Sequence, residues 1–285
     1  MKVTWRSLLF VSADDSERLA RVHTRGADAV ILDLEDAVSE ERKPFARAAL
    51  ADTIDGLRAH GVTIIVRVNP DWLNLMEDLR ACIRTGVTAI MLPKVDAGWR
   101  VEAAHEIMAT MERQAGLDEG QIGIIALIED ANGLAALDDI ARQDRLIGIA
   151  LGSEDFSLSM GVAPTPALLD YPCRQIALAG SRHGVATWAM PLSISIFNDA
   201  DAIETALLAA SQYGIDGKLC IHPKQVSAAN KMFTADAQQI AEARSIIAAW
   251  DKDGASGVTS HNGRMIDRPV VERARRLLAR SSPPA

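Results

Sequence analysis

Cysteine is scarce in this 285-residue chain: Cys82, Cys173 and Cys220 are all there are, and no Cys-x-x-Cys pair occurs. An odd count without paired spacing speaks against a disulfide framework and against thiolate-bound zinc, and fits a reduced, cytoplasmic protein. Aromatic residues make up 4% of the chain, too few for the stacking platforms that hold single-stranded nucleic acid. Positive charge is in deficit, with 30 Lys and Arg against 38 Asp and Glu and a net charge of -8. That balance argues against nucleic acid or a membrane surface as a partner. No apolar run approaches the length of a membrane span. The one N-terminal apolar patch, Leu8-Leu9-Phe10-Val11, is cut by Asp14 and Asp15 too early for a signal peptide. No Gly-x-Gly-x-x-Gly follows the first apolar run, and there is no Walker loop. No Gly-x-Ser-x-Gly elbow marks a serine hydrolase, and no two histidines stand at metal-ligand spacing.

What the chain does have is an alternation. Short apolar runs occupy residues 5–11, 28–34, 62–68, 88–93, 122–128, 146–151, 185–190 and 217–221. Runs of this length bounded by Gly and polar residues suit strands buried on both faces of a parallel sheet. Helical segments lie between them. Asp14-Asp15-Ser16, Asp71 and Asp199 stand as N-caps, and Gly26, Gly86 and Gly214 as stops. Eight such units in some 220 residues predict an α/β fold, a closed (β/α)8 TIM barrel over residues 1–233. An open doubly wound sheet is the alternative, disfavoured by the missing nucleotide fingerprints. Residues 234–285 read as a helical extension. It has a glycine-containing loop over 254–269, a basic last helix and a frayed tail from Ser281. It is too small for a core of its own, so it packs on the barrel or on a neighbouring subunit.

In such a barrel the chemistry sits at the C-terminal ends of the strands. The second run ends with Asp33, Glu35 and Asp36, the third with Arg67 and Asn69, the fourth with Lys94, the fifth with Glu129, the sixth with Asp155 and the eighth with His222. Each has a structural reading: Glu35 or Asp36 as a cap or a partner of Lys43, Arg67 as a neutraliser of Asp33, Glu35 or Glu129, and Asp155 as an N-cap. Together they suggest more. Hard oxygen ligands from Glu129 and Asp155 at adjacent strand ends suit Mg²⁺, with Mn²⁺ able to substitute, and leave positions open for substrate oxygens. An arginine over the same cavity adds a fixed positive charge. That combination suits enolate or carbonyl chemistry on a small anionic substrate. Asp130, next to Glu129, has no evident task.

Several stretches resemble the citrate lyase β-subunit-like branch of the HpcH/HpaI aldolase superfamily, the CoA ester lyases. They are RSLLFV at Arg6–Val11, DAVILDLEDAV at Asp28–Val38, VRVN at Val66–Asn69, MLPKV at Met91–Val95 and LIED at Leu127–Asp130. LGSEDFSLSMG at Leu151–Gly161, GKLCIHPKQV at Gly217–Val226 and GRMIDRPVV at Gly263–Val271 complete the series, in the same order across nearly the whole chain. The resemblance implies a Mg²⁺ held by Glu129 and Asp155, and Arg67 on the thioester carbonyl. It implies Asp267 as acid/base on a segment closing over a neighbouring subunit of a homotrimer or hexamer. Glu35 joins Arg67 and Asp267 as a catalytic candidate. Backbone groups near Glu154 would hold the substrate carboxylate, and those of Leu219 and Cys220 the CoA. The implied partners are a CoA thioester and a small 2-oxo acid. The implied reaction cleaves malyl-CoA or citramalyl-CoA into acetyl-CoA and glyoxylate or pyruvate. The alternatives are a thioesterase on the same esters, a CoA-free pyruvate aldolase, and a citrate lyase β subunit that works only inside its complex. Ser12-Ala13 in place of the usual Pro-Gly, and Ala189-Met190-Pro191 in place of a terminal Ile-Asp, depart from the pattern and leave the substrate open.

Overall fold

Each of the eight apolar runs folds as a strand: β1 (Ser7–Ser12), β2 (Ala29–Asp33), β3 (Ile64–Arg67), β4 (Val87–Leu92), β5 (Gly123–Ile128), β6 (Leu146–Leu151), β7 (Ala186–Trp188) and β8 (Lys218–Cys220). In this computed structural model, which describes residues 2–252 and 257–281, the strands are parallel and ordered β7-β6-β5-β4-β3-β2-β1-β8. A parallel bridge between Trp188 and Gly217 joins the two ends, so the sheet closes into a (β/α)8 barrel. Every residue of β2, β3 and β5 is buried. That is why these strands read as unbroken apolar runs rather than alternating ones.

The inward side chains fill the barrel with Leu8, Ile31, Ile65, Met91, Leu127 and Trp188 among others. Trp188 stacks on Trp5 with ring centroids 6.1 Å apart and donates its indole N–H to Trp5 O at 2.8 Å. A Cβ on Gly148 would lie 2.2 Å from the Trp188 ring, so the adjacent strand has to be bare at that position.

Helices α1 (Ser16–Val22), α2 (Lys43–Ala59), α3 (Trp72–Cys82), α4 (Gly98–Ala115), α5 (Ala131–Ala135), α6 (Leu137–Ala141), α7 (Ser153–Ser159), α8 (Pro166–His183), α9 (Ala200–Tyr213) and α10 (Pro223–Met232) surround the strands. Four of them start on an aspartate whose carboxylate accepts a first-turn N–H: Asp15, Asp71, Asp130 and Asp199. The cap at Asp130 gives that residue its task, accepting from Gly133 N at 2.7 Å. Helices α2 and α4 begin at Arg42 and Ala97 with no side-chain cap; α2 has Pro44 in its first turn.

The chain divides into two compact units, Met1–Met232 and Phe233–Ala285. The second contains α11 (Ala237–Lys252), β9 (Val258–His261), β10 (Arg264–Asp267) and α12 (Arg268–Ser281). The loop expected over residues 254–269 is instead an antiparallel hairpin from Val258 to Asp267. Its turn is Asn262-Gly263, at φ 49° and 74°, the pairing favoured in two-residue turns because both residues tolerate positive φ. The unit also has a small core, against expectation: Trp250, Ile266 and Val271, packed by Ile246, Ile247 and Val270. Residues 282–285 of the expected tail lie outside the described residues. Among the described residues no helix is long and apolar enough to cross a membrane.

Candidate active site

The barrel register decides which polar side chains meet. Asp33 ends β2 directly beside Arg67, which ends β3. Arg67 Nε donates to Asp33 Oδ1 at 2.7 Å and Nη2 to Asp33 Oδ2 at 2.6 Å, a two-point fork that fixes the guanidinium plane. Nη1 lies 2.8 Å from Glu35 Oε2, and the guanidinium carbon sits 4.9 Å from the centre of the Phe10 ring. Burial works to lower the pKa of Arg67, but the Asp33 hydrogen bond and the charges of Asp33, Glu35 and Asp36 outweigh it and raise the value. The cation is permanent. Five N–H donors are available on the group, so the Asp33 clamp orients it and still leaves donors for a ligand oxygen.

Glu35 is 3% exposed, and neither of its oxygens receives an aligned hydrogen bond. Its contacts are ionic, with Arg67 and with Lys94 Nζ at 3.3 Å. Burial raises the Glu35 pKa above the ordinary carboxylate value in spite of the Arg67 charge. Lys43 does not pair with the Glu35 side chain. Its buried ammonium donates to the main-chain oxygens of Leu34 and Glu35, both at 3.1 Å, and to Asn69 Oδ1 at 2.7 Å. Asn69 in turn donates to Asp78 Oδ2 at 2.7 Å, and Arg47 donates to Asp78 Oδ1 at 2.6 Å. This buried chain of bonds runs from α2 to α3 and ties down the strand ends that carry Glu35 and Arg67.

On β5, Glu129 turns its carboxylate across to the end of β6. A Cβ added to Gly152 would stand 2.6 Å from Glu129 Cγ and 2.8 Å from Oε1. The other oxygen, Oε2, accepts from Lys94 N at 2.7 Å. Lys94 makes that bond from a left-handed conformation, φ 52°, which is uncommon for a residue other than glycine. Burial, then the Glu35 charge, pushes the Glu129 carboxyl up to about 8; the Lys94 N–H opposes the shift and the nearby Asp155 charge adds to it. Asp155 lies in the first turn of α7, whose N-cap is Gly152, so Asp155 does not serve as that cap.

The remaining candidates are spread further. Glu154 Oε1 accepts from Ser193 Oγ at 2.7 Å and Ser153 Oγ at 3.2 Å. Leu219 points into the barrel core, and Cys220 is fully buried in the wall with its thiol pushed up to about 12 by burial. Only their peptide groups are left for CoA. His222 stacks on Phe197 with ring centroids 4.7 Å apart, a packing role. In the second unit, Asp267 ends β10, and its Oδ1 accepts from Val270 N at 3.2 Å, capping α12.

The sequence reading placed Lys94 and Asn69 at strand ends and Lys43 beside Glu35 or Asp36, but it did not foresee the Lys94 N–H on Glu129, the bare Cα of Gly152 or the link through Asp78. The residues fit a divalent cation. A buried Glu129 with a strongly raised pKa, next to Asp155 and to the undonated oxygens of Glu35, is a set of hard oxygens short of positive charge. Among the described residues no three His, Cys, Asp or Glu side chains converge on one point. A cation would therefore take two protein carboxylates and complete its shell with water or substrate.

Comparison with known proteins agrees with this architecture. The HpcH/HpaI aldolase/citrate lyase family profile matches residues 6–223. Citrate lyase subunit beta of Leuconostoc mesenteroides subsp. cremoris is 32% identical over 279 residues, covering 96% of this chain and 92% of that protein. L-malyl-CoA/beta-methylmalyl-CoA lyase of Rhodobacter capsulatus is 30% identical over 272 residues, covering 87% and 85%. A crystal structure of CitE from Mycobacterium tuberculosis in complex with magnesium, acetoacetate and coenzyme A superposes with a TM-score of 0.76 at 29% identity, covering 99% of both chains. The chain belongs to the HpcH/HpaI aldolase/citrate lyase family, as a lyase built on a (β/α)8 barrel.

Proposed function

We propose that the chain is a Mg²⁺-dependent carbon–carbon lyase acting on a 3-hydroxy-3-carboxyacyl-CoA such as malyl-CoA or citramalyl-CoA. The products would be acetyl-CoA and a 2-oxo acid. One observation carries the reading: a permanently charged, clamped Arg67 and a cation-seeking Glu129–Asp155 pair share one end of the same barrel. Glu129 and Asp155 would hold the Mg²⁺, which when bound draws electron density from the substrate's carboxylate and hydroxyl oxygens.

The protein's own groups then divide the work. Peptide N–H groups at the start of α7, near Glu154, face the substrate carboxylate. Glu35, a buried carboxylate met by Arg67 at 2.8 Å and Lys94 at 3.3 Å, takes the hydroxyl proton. The electron pair of that O–H bond forms the new carbonyl, and the carbon–carbon pair moves onto the thioester as an enolate. Arg67 receives the enolate oxygen with the donors that Asp33 leaves free, in a site where a fixed donor is worth more than in water. Asp267, on the second unit and supplied as a lid by a neighbouring subunit of a trimer or hexamer, protonates the enolate carbon to give the acetyl group. In the condensing direction Asp267 is the base. The CoA lies along the first βα loop and the peptide groups of Leu219 and Cys220. Ser12 Oγ donates to Asp14 Oδ1 at 2.6 Å and to Ala37 O at 2.9 Å, so the altered loop is pinned in place.

Incubation of purified protein with malyl-CoA and citramalyl-CoA, with and without EDTA, tests the reading. Release of acetyl-CoA and a 2-oxo acid that EDTA abolishes is expected. Free malate or citramalate with CoA would mean a thioesterase instead. Activity restored only on adding other citrate lyase subunits would mean a non-autonomous β subunit instead; several relatives are named citrate lyase subunit beta.

A further inference from the structure

The chain leaves β7 at Trp188 and runs through Ala189-Met190-Pro191-Leu192-Ser193-Ile194-Ser195-Ile196-Phe197 before α9. No charged side chain occurs in that stretch, although it borders the most acidic end of the barrel. It is also held at several points. Ser193 Oγ donates to Glu154 Oε1, and Ile194 N donates to Ser153 Oγ at 3.1 Å. Buried Gln225 donates from Nε2 to Ile194 O at 2.8 Å and to Ile196 O at 2.9 Å. The peptide groups on both sides of Ile194 are therefore fixed, one to the residues that precede Asp155 and the other to α10. Its side chain packs onto the barrel-interior cluster from the C-terminal end, where the loop emerges, and it stays half-buried. Its main-chain N–H reaches Ser153, two residues before Asp155 and just past the end of β6.

We propose that Ile194 is a specificity-determining residue and that the 2-oxo acid formed or consumed carries a short alkyl substituent. The inference rests on the lyase reading above. With its carboxylate and oxo group directed to Glu129 and Asp155, the acid has its third substituent left to meet the neighbouring strand end, and on the β7 side that surface is Ile194. A methyl or ethyl group gains apolar contact there. A hydrogen, as in glyoxylate, leaves the contact unmade. A carboxymethyl group, as in oxaloacetate, would bury a second carboxylate against isoleucine with no partner, which is strongly disfavoured. The hydroxyls of Ser193 and Ser195 do not rescue it, because they are committed to Glu154 and to each other.

The test uses the full-length protein with Mg²⁺ and two readouts. One is kcat/KM for condensation of acetyl-CoA with glyoxylate, pyruvate, 2-oxobutanoate and oxaloacetate. The other is calorimetric binding of each acid without CoA. The expected result is a preference for pyruvate over glyoxylate of about 10-fold or more, the usual worth of one methyl group in an apolar pocket, with oxaloacetate poorest. Ile194→Ala should shrink the pyruvate-to-glyoxylate ratio in both readouts and raise 2-oxobutanoate relative to pyruvate. Ile194→Val, which keeps the branched shape and removes one methyl, should move the ratios part of the way and serves if the alanine variant fails to fold. A preference for oxaloacetate, or ratios unchanged in a folded variant, would overturn the role of Ile194 and leave the lyase reading standing. Failure of the wild type to condense any of the four acids would instead overturn the lyase reading, and this inference with it.

Discussion

Replacing Gly152 with alanine separates the chemistry of Glu129 from the stability of the barrel. The backbone at Gly152 has φ -84° and ψ 92°, a conformation open to any residue, so alanine pays no conformational penalty there. The whole effect is steric. The new methyl would lie 2.6 Å from Glu129 Cγ and 2.8 Å from Oε1, where carbon contacts normally settle at about 3.5–4.0 Å. The Glu129 side chain must therefore retreat by roughly 1 Å, away from the Lys94 N–H. Overpacking of this kind costs about 1–3 kcal/mol, seen as a fall in Tm of a few degrees in a chain of this size. A displaced ligand carboxylate should lower Mg²⁺ affinity about 10–100-fold, the range found when the groups that orient a ligand are lost. Titration calorimetry reads the affinity, and circular dichroism melts read the fold. Gly148→Ala is the control. It lies on β6, the strand that leads to Gly152, but strikes Trp188 at 2.2 Å, so it should lower Tm without changing metal affinity in whatever fraction stays folded. Normal Mg²⁺ affinity in a folded Gly152→Ala protein would refute Glu129 as a ligand.

Glu129→Gln keeps the shape and removes the charge, so calorimetry should show weakened Mg²⁺ binding; unchanged affinity would end its role as a ligand. Asp267→Asn should abolish condensation while keeping Mg²⁺ affinity and Tm, because asparagine caps a helix as well as aspartate does; near-normal turnover would remove Asp267 from the mechanism. Lys43→Met orphans Asn69 Oδ1, whereas Leu34 O keeps Asn69 Nδ2 and Glu35 O keeps Val38 N; one buried orphan costs about 1–3 kcal/mol. Urea denaturation should register a loss of that order, and a loss under about 0.5 kcal/mol would mean the ammonium holds nothing. The pH dependence of the metal-free protein has a definite sign. The folded value of Glu129, about 8, lies above its ordinary value of 4.5, so between those limits the folded state keeps a proton that the unfolded chain has lost. Stability from this group is fully present below the lower value and is lost as pH rises toward 8. Melts in EDTA should therefore fall across that window, and excess Mg²⁺ should flatten the fall; a rise with pH in EDTA would contradict the burial of Glu129.

The barrel was legible because burial on both faces writes itself as uninterrupted apolar runs, and the aspartate caps at Asp15, Asp71 and Asp199 could be read one turn at a time. The starts of helices α2 and α4 were harder to read, since Arg42 and Ala97 provide no capping side chain, leaving Pro44 in the first turn of α2 as a lone start signal there. The hairpin at Val258–Asp267 had a local signal, Asn262-Gly263 between β-forming residues, but the glycine-rich surroundings read as loop. At the site, strand-end position and parity brought out Asp33, Glu35, Arg67, Glu129 and Asp155. They could not say which carboxylate holds Arg67, because that depends on the register of β2 against β3. Lys94 was legible as a strand end, but its left-handed backbone and the Glu129 side chain crossing the bare Cα of Gly152 were not, because both are consequences of two strands approaching in space. The remaining glycine of the sixth strand, Gly148, illustrates the same limit at the barrel floor.

The mouth of the barrel gathers Asp33, Glu35, Asp36, Glu129 and Asp155 around just Arg67 and Lys94. The proposed substrates, a CoA thioester and a 2-oxo acid, are both anions, and this surplus of negative charge opposes their approach while no cation is bound. The same crowd of carboxylates attracts a divalent ion. On the lyase reading proposed above, this charge balance predicts that the metal binds before the organic ligands.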